Sequence, residues 1–282
     1  AWWDLIKKFA DELGYSRCDT CKKRTADCPK ADCKDQYEYT QDEFLRIPEY
    51  YYQQDTSENH ADYFGLIQST LHSDNGSNPI DDEIFSVFPR HIITTNYDSL
   101  LEKSQSVNSL LYAVVTHDSD LLAEASDRYI IKMHGDIDDI QNIVLKEDDY
   151  LNYSQNHIII ETFIKSLLID KTFLFVGYSL NDNNLKLIMS YIDFFVKEKR
   201  VENRQPHYLV VDKIKDCAHD ISYWKNKGVE LVDLSQISDY MIDNSNCENI
   251  SNDIGKKLYA FLYYLNNEGL AYTNDKVQVL NG

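Results

Sequence analysis

The sequence predicts a doubly wound α/β fold, and three observations carry that expectation. After Pro89, short apolar runs of strand length alternate with stretches of helical spacing. Several runs are apolar throughout, as in strands covered on both faces of a parallel sheet. Polar clusters recur where the runs end, which is the edge at which such sheets bind ligands. The strand candidates are HIITT (91–95), YAVVT (112–116), RYIIKM (128–133), TFLFVG (172–177), HYLVV (207–211) and VELV (229–232). Helices are expected at 97–104, 147–169, 182–199, 215–227 and 248–266. Strand alternating with helix gives βαβ units and a mostly parallel sheet.

Ahead of that region, residues 3–13 place Trp3, Ile6, Phe9, Ala10 and Leu13 at helical spacing and stop at Gly14, the expected helix-closing residue. Residues 15–40 are polar, hold four of the six cysteines and read as an irregular insert. From Asp42 to Phe88 the pattern is mainly helical, with turn signals at DNGSNP. A length of 282 residues suits one large α/β domain, so 1–282 is expected to be a single domain with a Cys-rich and helical insertion over 15–88.

Composition narrows the class. The chain is 43% hydrophobic and 27% charged, with 21 Tyr and 11 Phe, which excludes a disordered chain. No apolar run approaches the roughly 18 residues of a membrane span, and the opening AWWDLIKKFADELG lacks the basic start and cleavage site of a secretory signal. A cytoplasmic protein away from membranes is expected. The formal net charge of −19 argues against nucleic acid as the main ligand, since phosphate binding needs concentrated Lys and Arg. An anionic ligand would instead be held by backbone N–H groups and helix N-termini.

Three strand ends carry unusual polar residues. HIITT runs into Asn96, Tyr97 and Asp98, where the ordinary reading is helix capping. RYIIKM delivers His134, Gly135 and Asp136, an imidazole that titrates near neutral pH followed by a glycine that permits close approach of the backbone to a ligand. TFLFVG turns at Gly177 into Tyr178 and Ser179, with Asp182 where the next helix would start. Asp212, at the end of HYLVV, is either a solvated carboxylate or an acceptor for ribose hydroxyls.

The succession TTNYD, HGD and GYSxxD, each at a strand end, resembles the sirtuin-like NAD hydrolases of bacterial anti-phage defence systems, as does IVLKEDDYLNY (143–153). The resemblance covers roughly residues 90–235. It implies a Rossmann-like sheet, NAD as substrate, and Asn96 and His134 as the catalytic pair. It also implies a dinucleotide site lined by Thr95, Asp98, Gly177, Tyr178, Ser179, Asp182 and Asp212, within a homo-oligomer or an assembly with fused or partner effector and sensor domains. Enzymes of this kind open with a Gly-rich turn that cradles pyrophosphate. None of the nine glycines here forms GxG, so the first strand and its loop are expected to be missing from the sequence.

Cys18, Cys21, Cys28 and Cys33 form C-x2-C-x6-C-x4-C beside Lys22, Lys23, Arg24 and Lys30, which suits either a structural zinc or ordinary thiols. Deacylating sirtuins carry their cysteine pairs between the His motif and the Gly-Ser strand end, and here no cysteine lies between His134 and Gly177. An NAD-dependent protein deacylase is therefore the second expectation, and a non-catalytic sensor of NAD or ADP-ribose the third.

Overall fold

The computed structural model describes residues 2–15, 39–71, 78–107, 111–123, 125–177, 190, 205–214 and 218–276. Six parallel strands form the frame: β1 (Ile92–Thr94), β2 (Ala113–Val115), β3 (Tyr129–Lys132), β4 (Leu174–Phe175), β5 (His207–Val211) and β6 (Val229–Asp233). They hydrogen-bond as two three-stranded ladders, ordered β1-β3-β2 and β4-β5-β6, where the sequence suggested one sheet. One hydrophobic cluster joins the two ladders: Val115, Tyr129, Ile131 and Met133 pack with Phe175, Leu209 and Val229.

Every residue of β3 is buried, and its alternation explains why. Tyr129 and Ile131 face the shared cluster with Ile160, Ile164 and Leu168, while Ile130 faces Phe85 and Tyr112 on the other side. Apolar cover on both faces is what an uninterrupted hydrophobic strand demands.

Helices α1 (Trp2–Glu12), α2 (Gln41–Gln54) and α3 (Ala61–Leu71) form a layer of their own. Leu5, Ile6, Phe9 and Ala10 make a single buried stripe on α1. The helix stops as its sequence requires: Gly14 takes φ +61°, its N–H donates to the Asp11 carbonyl, and the Tyr15 N–H donates to the Ala10 carbonyl. That pair of bonds is a Schellman closure. Thr40 and Glu43 exchange the reciprocal bonds of a capping box at the start of α2. Within the expected 15–88 segment, α4 (Pro79–Ser86) follows, with Asn78 accepting the Ile80 N–H and Pro79 in the first helical position.

Beyond β1 come α5 (Leu100–Val107), α6 (Asp118–Ala123), α7 (Glu147–Leu151), α8 (Tyr153–Asn156), α9 (Ile158–Asp170), α10 (Ala218–Asn226), α11 (Asp239–Asp243) and α12 (Asp253–Lys276). The single helix expected over 147–169 is in fact three, broken at Asn152 and His157. The Asp118 carboxylate accounts for the second break by accepting the N–H groups of Ile159 and Ile160, which begins α9 afresh. The expected helix 182–199, apart from residue 190, and the cysteines 18, 21, 28 and 33 lie outside the described residues. Among the described residues, no helix is long and apolar enough to cross a membrane.

His91, just before β1, stacks on Tyr129 at 5.6 Å and meets Phe163 edge-on at 5.4 Å. Burial, with Arg90, Lys171 and Arg128 adding to it, holds its pKa down at about 4. A depressed histidine stabilises the fold above its unfolded value of about 6.5, and that contribution is lost as pH falls through about 4. His91→Phe is expected to flatten the fall in melting temperature between about pH 6.5 and pH 4, which thermal unfolding across that range measures.

Candidate active site

The site begins in the register of β1 against β3. Thr94 is paired with Lys132, and the Met133 N–H donates to the Thr94 carbonyl at 2.9 Å. Asn96 and His134 therefore each stand two residues past the same rung, at the carboxyl ends of neighbouring parallel strands. The two predicted catalytic residues, 38 positions apart in sequence, are brought to one corner.

Asn96 is exposed, and its backbone N–H is fixed on the Thr94 hydroxyl at 3.0 Å. His134 is only 4% exposed. Its ring sits among aromatic neighbours, with Tyr97 at 6.4 Å between centroids and Tyr150 edge-on at 5.3 Å. The His134 carbonyl accepts the Val144 N–H at 2.9 Å. Tyr97 extends the corner: its hydroxyl donates to the Val144 carbonyl at 2.7 Å, and its ring stacks on Trp2 at 6.1 Å.

Gly135 takes φ +85°, and an added Cβ would lie 2.7 Å from the Asn142 carbonyl oxygen and 3.1 Å from the Ile143 Cα. The glycine was expected to let the backbone approach a ligand. Its close neighbour is instead the chain's own returning segment, which seats the His134 loop.

Lys132 went unread in the sequence because RYIIKM was taken as an apolar strand. It is 1% exposed, and its Nζ donates to the carbonyls of Tyr97 (3.2 Å) and Asp98 (2.7 Å), to Glu102 Oε1 (3.0 Å) and to Asp136 Oδ2 (2.6 Å). The signal was available: a lysine within a strand buried on both faces must be paired, and Asp136 stands four residues on. The same bonds explain why α5 starts at Leu100 and not at the expected 97. The carbonyls of Tyr97 and Asp98, which would open the helical ladder, are already engaged. Asp98 supports the start of α5 from one residue before the cap position, its Oδ1 accepting the Leu100 N–H at 3.1 Å.

The 3₁₀ turn Ile137–Asn142 follows, capped by Asp136 Oδ1 on the Asp138 N–H at 2.9 Å. His117, after β2, meets Asp139 of that turn, Nε2 to Oδ2, at 3.0 Å. Negative charge collects nearby. Burial pushes the Asp81 carboxyl up to about 6, and Asp98, Asp82 and Glu102 push in the same direction.

Of the other predicted residues, Thr95 is half-buried between β1 and Asn96. Gly177, at φ +63° with open space where a Cβ would stand, lies two residues past β4, and the exposed Asp212 directly follows β5. Both are thus at the carboxyl end of the second ladder. Tyr178, Ser179 and Asp182 lie outside the described residues.

The family model described as SIR2-like domain matches residues 90–232, which is just over half the chain. The chain belongs to the SIR2-like domain family. The matched span of this SIR2-like domain begins one residue before His91 and ends within β6, so it includes all three strand-end motifs and both ladders but for Asp233.

Curated relatives extend the similarity beyond that span. The chain is 30% identical over 241 residues to "Defense-associated sirtuin 2" of Bacillus subtilis, covering 84% of this chain and 22% of that protein. It is 31% identical over 198 residues to "NAD(+) hydrolase ThsA" of Enterococcus faecium, covering 64% of this chain and 40% of that protein. It is 42% identical over 101 residues to "NAD(+) hydrolase ThsA" of Cytobacillus dafuensis, covering 35% of this chain and 20% of that protein. The SIR2-like chain therefore spans less than half the length of each of these relatives.

The helical layer of this SIR2-like domain packs directly on the site loops. Leu5, Ile6, Phe9, Ile47, Tyr63 and Ile67 share a cluster with Tyr97, Ile137, Ile143 and Leu145. Glu49 Oε2 accepts the Asp148 N–H at 3.2 Å, and Arg46 pairs with Glu147 at 3.1 Å, which fastens α2 to α7. Among the described residues no group of His, Cys, Asp and Glu is arranged to hold a metal.

Proposed function

We propose that this domain hydrolyses NAD at the nicotinamide–ribose bond and serves as the NAD-consuming effector of an anti-phage defence protein. The observation that carries the reading is the matched placement of Asn96 and His134 past one rung of β1 and β3. Two relatives named NAD(+) hydrolase and one named defense-associated sirtuin support it.

The chemistry asks little of an acid. Nicotinamide leaves as a neutral molecule from a cationic precursor, through an oxocarbenium-like state at the ribose carbon. Water adds to that carbon and loses one proton, so NAD and water give nicotinamide, ADP-ribose and H⁺. His134 accepts the proton from the attacking water or from a ribose hydroxyl. Asn96, with one carbonyl acceptor and an amide donor, holds the ribose or the water in line. Thr95, Asp98, Gly177, Tyr178, Ser179, Asp182 and Asp212 line the dinucleotide, with backbone N–H groups carrying its phosphates. We place the protein in the cytoplasm, within an oligomer or a larger chain bearing sensor domains.

Incubation of the protein with NAD and no peptide, followed by product analysis, tests this directly. Release of nicotinamide and ADP-ribose is expected. Turnover only with an acyl-lysine peptide would make the protein a deacylase, and binding without turnover would make it a sensor. Zinc on the Cys18, Cys21, Cys28 and Cys33 tetrad is tested by metal analysis of untagged protein, with one equivalent expected.

A further inference from the structure

We infer that Lys132 is a positioning residue for the proposed NAD cleavage, fixing the Asn96 turn against the His134 turn; the inference rests on that reading of the site. The ammonium group is closed to solvent and reaches four oxygens from two separate stretches of chain. Three of them, the carbonyls of Tyr97 and Asp98 and the carboxylate of Glu102, follow Asn96 in sequence. The fourth, Asp136 Oδ2, stands two residues after His134 while its other oxygen caps the next turn.

A lysine has three N–H groups and here meets four acceptors, so every donor is engaged. Taking a cation out of water is costly unless it is paired and fully hydrogen-bonded, and two carboxylates with two carbonyls meet that requirement. Two other bonds tie these stretches together: the Ile137 N–H to the Tyr97 carbonyl at 3.0 Å and the Tyr97 hydroxyl to the Val144 carbonyl at 2.7 Å. Both run through Tyr97. Lys132 alone among these contacts also holds Asp98 and Asp136, which bracket the Asn96 and His134 turns on their far sides.

Lys132 is 1% exposed and its donors are spent on protein oxygens, so its loss acts on geometry. Displacing a reacting group by about 1 Å costs roughly 10²-fold in rate, while the dinucleotide contacts proposed at Gly177 and Asp212, past β4 and β5, are not among those that Lys132 holds. Lys132→Met is therefore expected to lower kcat for nicotinamide release about 10²-fold and to change KM less than about threefold. Glu102→Gln, a milder change at the rim of the same cluster, is expected to lower kcat by about threefold to tenfold with KM unchanged.

The experiment pairs these kinetics with the His134 ring resonance in histidine-labelled protein, assigned by its absence in His134→Ala. A falling kcat with constant KM and a shifted or doubled His134 signal supports the positioning role. Parent kcat and an unmoved signal in Lys132→Met overturn it, as do parent values in Glu102→Gln should Lys132→Met fail to fold. If the unaltered protein releases no nicotinamide, the hydrolase reading fails, and an unmoved His134 signal in the variants would then overturn the positioning role as well.

Discussion

His134→Ala is expected to remove nicotinamide release from NAD while the far-ultraviolet circular dichroism stays that of the parent. A positioned general base contributes typically 10²–10⁴ in rate, and the proton acceptor proposed here sits in a nearly closed aromatic corner where water is a poor substitute. The imidazole is 4% exposed and lies against Tyr97 and Tyr150. Its removal leaves a small cavity beside β3, and a loss of about 1–3 kcal/mol in stability is expected. His134→Gln separates the two effects, because glutamine refills the volume and cannot take the proton. Parent turnover in either variant would remove the imidazole from the mechanism.

Gly135→Ala is expected to have the largest effect on stability of any single-methyl change at the site. A left-handed conformation costs an alanine about 1–2 kcal/mol. The methyl would also meet the Asn142 carbonyl oxygen at 2.7 Å. That atom belongs to the backbone and cannot swing aside, so overpacking adds about 1–3 kcal/mol. A total of roughly 3 kcal/mol lowers the melting temperature by about 6–12 °C in a domain of this size. Gly177→Ala is the internal comparison: its φ is +63° but nothing among the described residues lies within 4 Å of the new methyl, so the conformational cost of about 1–2 kcal/mol applies without the crowding. Equal destabilisation by the two substitutions would show that the crowding at Gly135 is unimportant.

Much of this was legible in the sequence, and what was missed has a common cause. The six strand candidates all contain strands, because apolar runs covered on two faces are written locally. Gly14 acts within one helical turn of itself and so announces the end of α1 in the sequence; the caps at Thr40 with Glu43 and at Asn78 with Pro79 are as local but lay in stretches read as an insert and a turn. The start of α5 was misplaced by three residues because Lys132, some thirty positions away, takes the carbonyls that would have begun it. Asp118 likewise breaks the 147–169 helix from 41 residues away. The pairing of Asn96 with His134 came from the family resemblance, and the β1–β3 register puts both two residues past one rung. The lysine joining their turns went unread, because a charge in an apolar run was counted with the run. Periodicity reads what neighbours along the chain do and is silent about a side chain that reaches across strands.

Trp2 lends this corner an optical property. Its indole stacks on the phenol of Tyr97, which also neighbours the imidazole at 134. Emission from an indole changes with the polarity and quenching groups around it. Occupancy of the site proposed beside that phenol can thus be followed in the protein's own fluorescence, without an attached dye, once Trp3 and Trp224 have been replaced by phenylalanine.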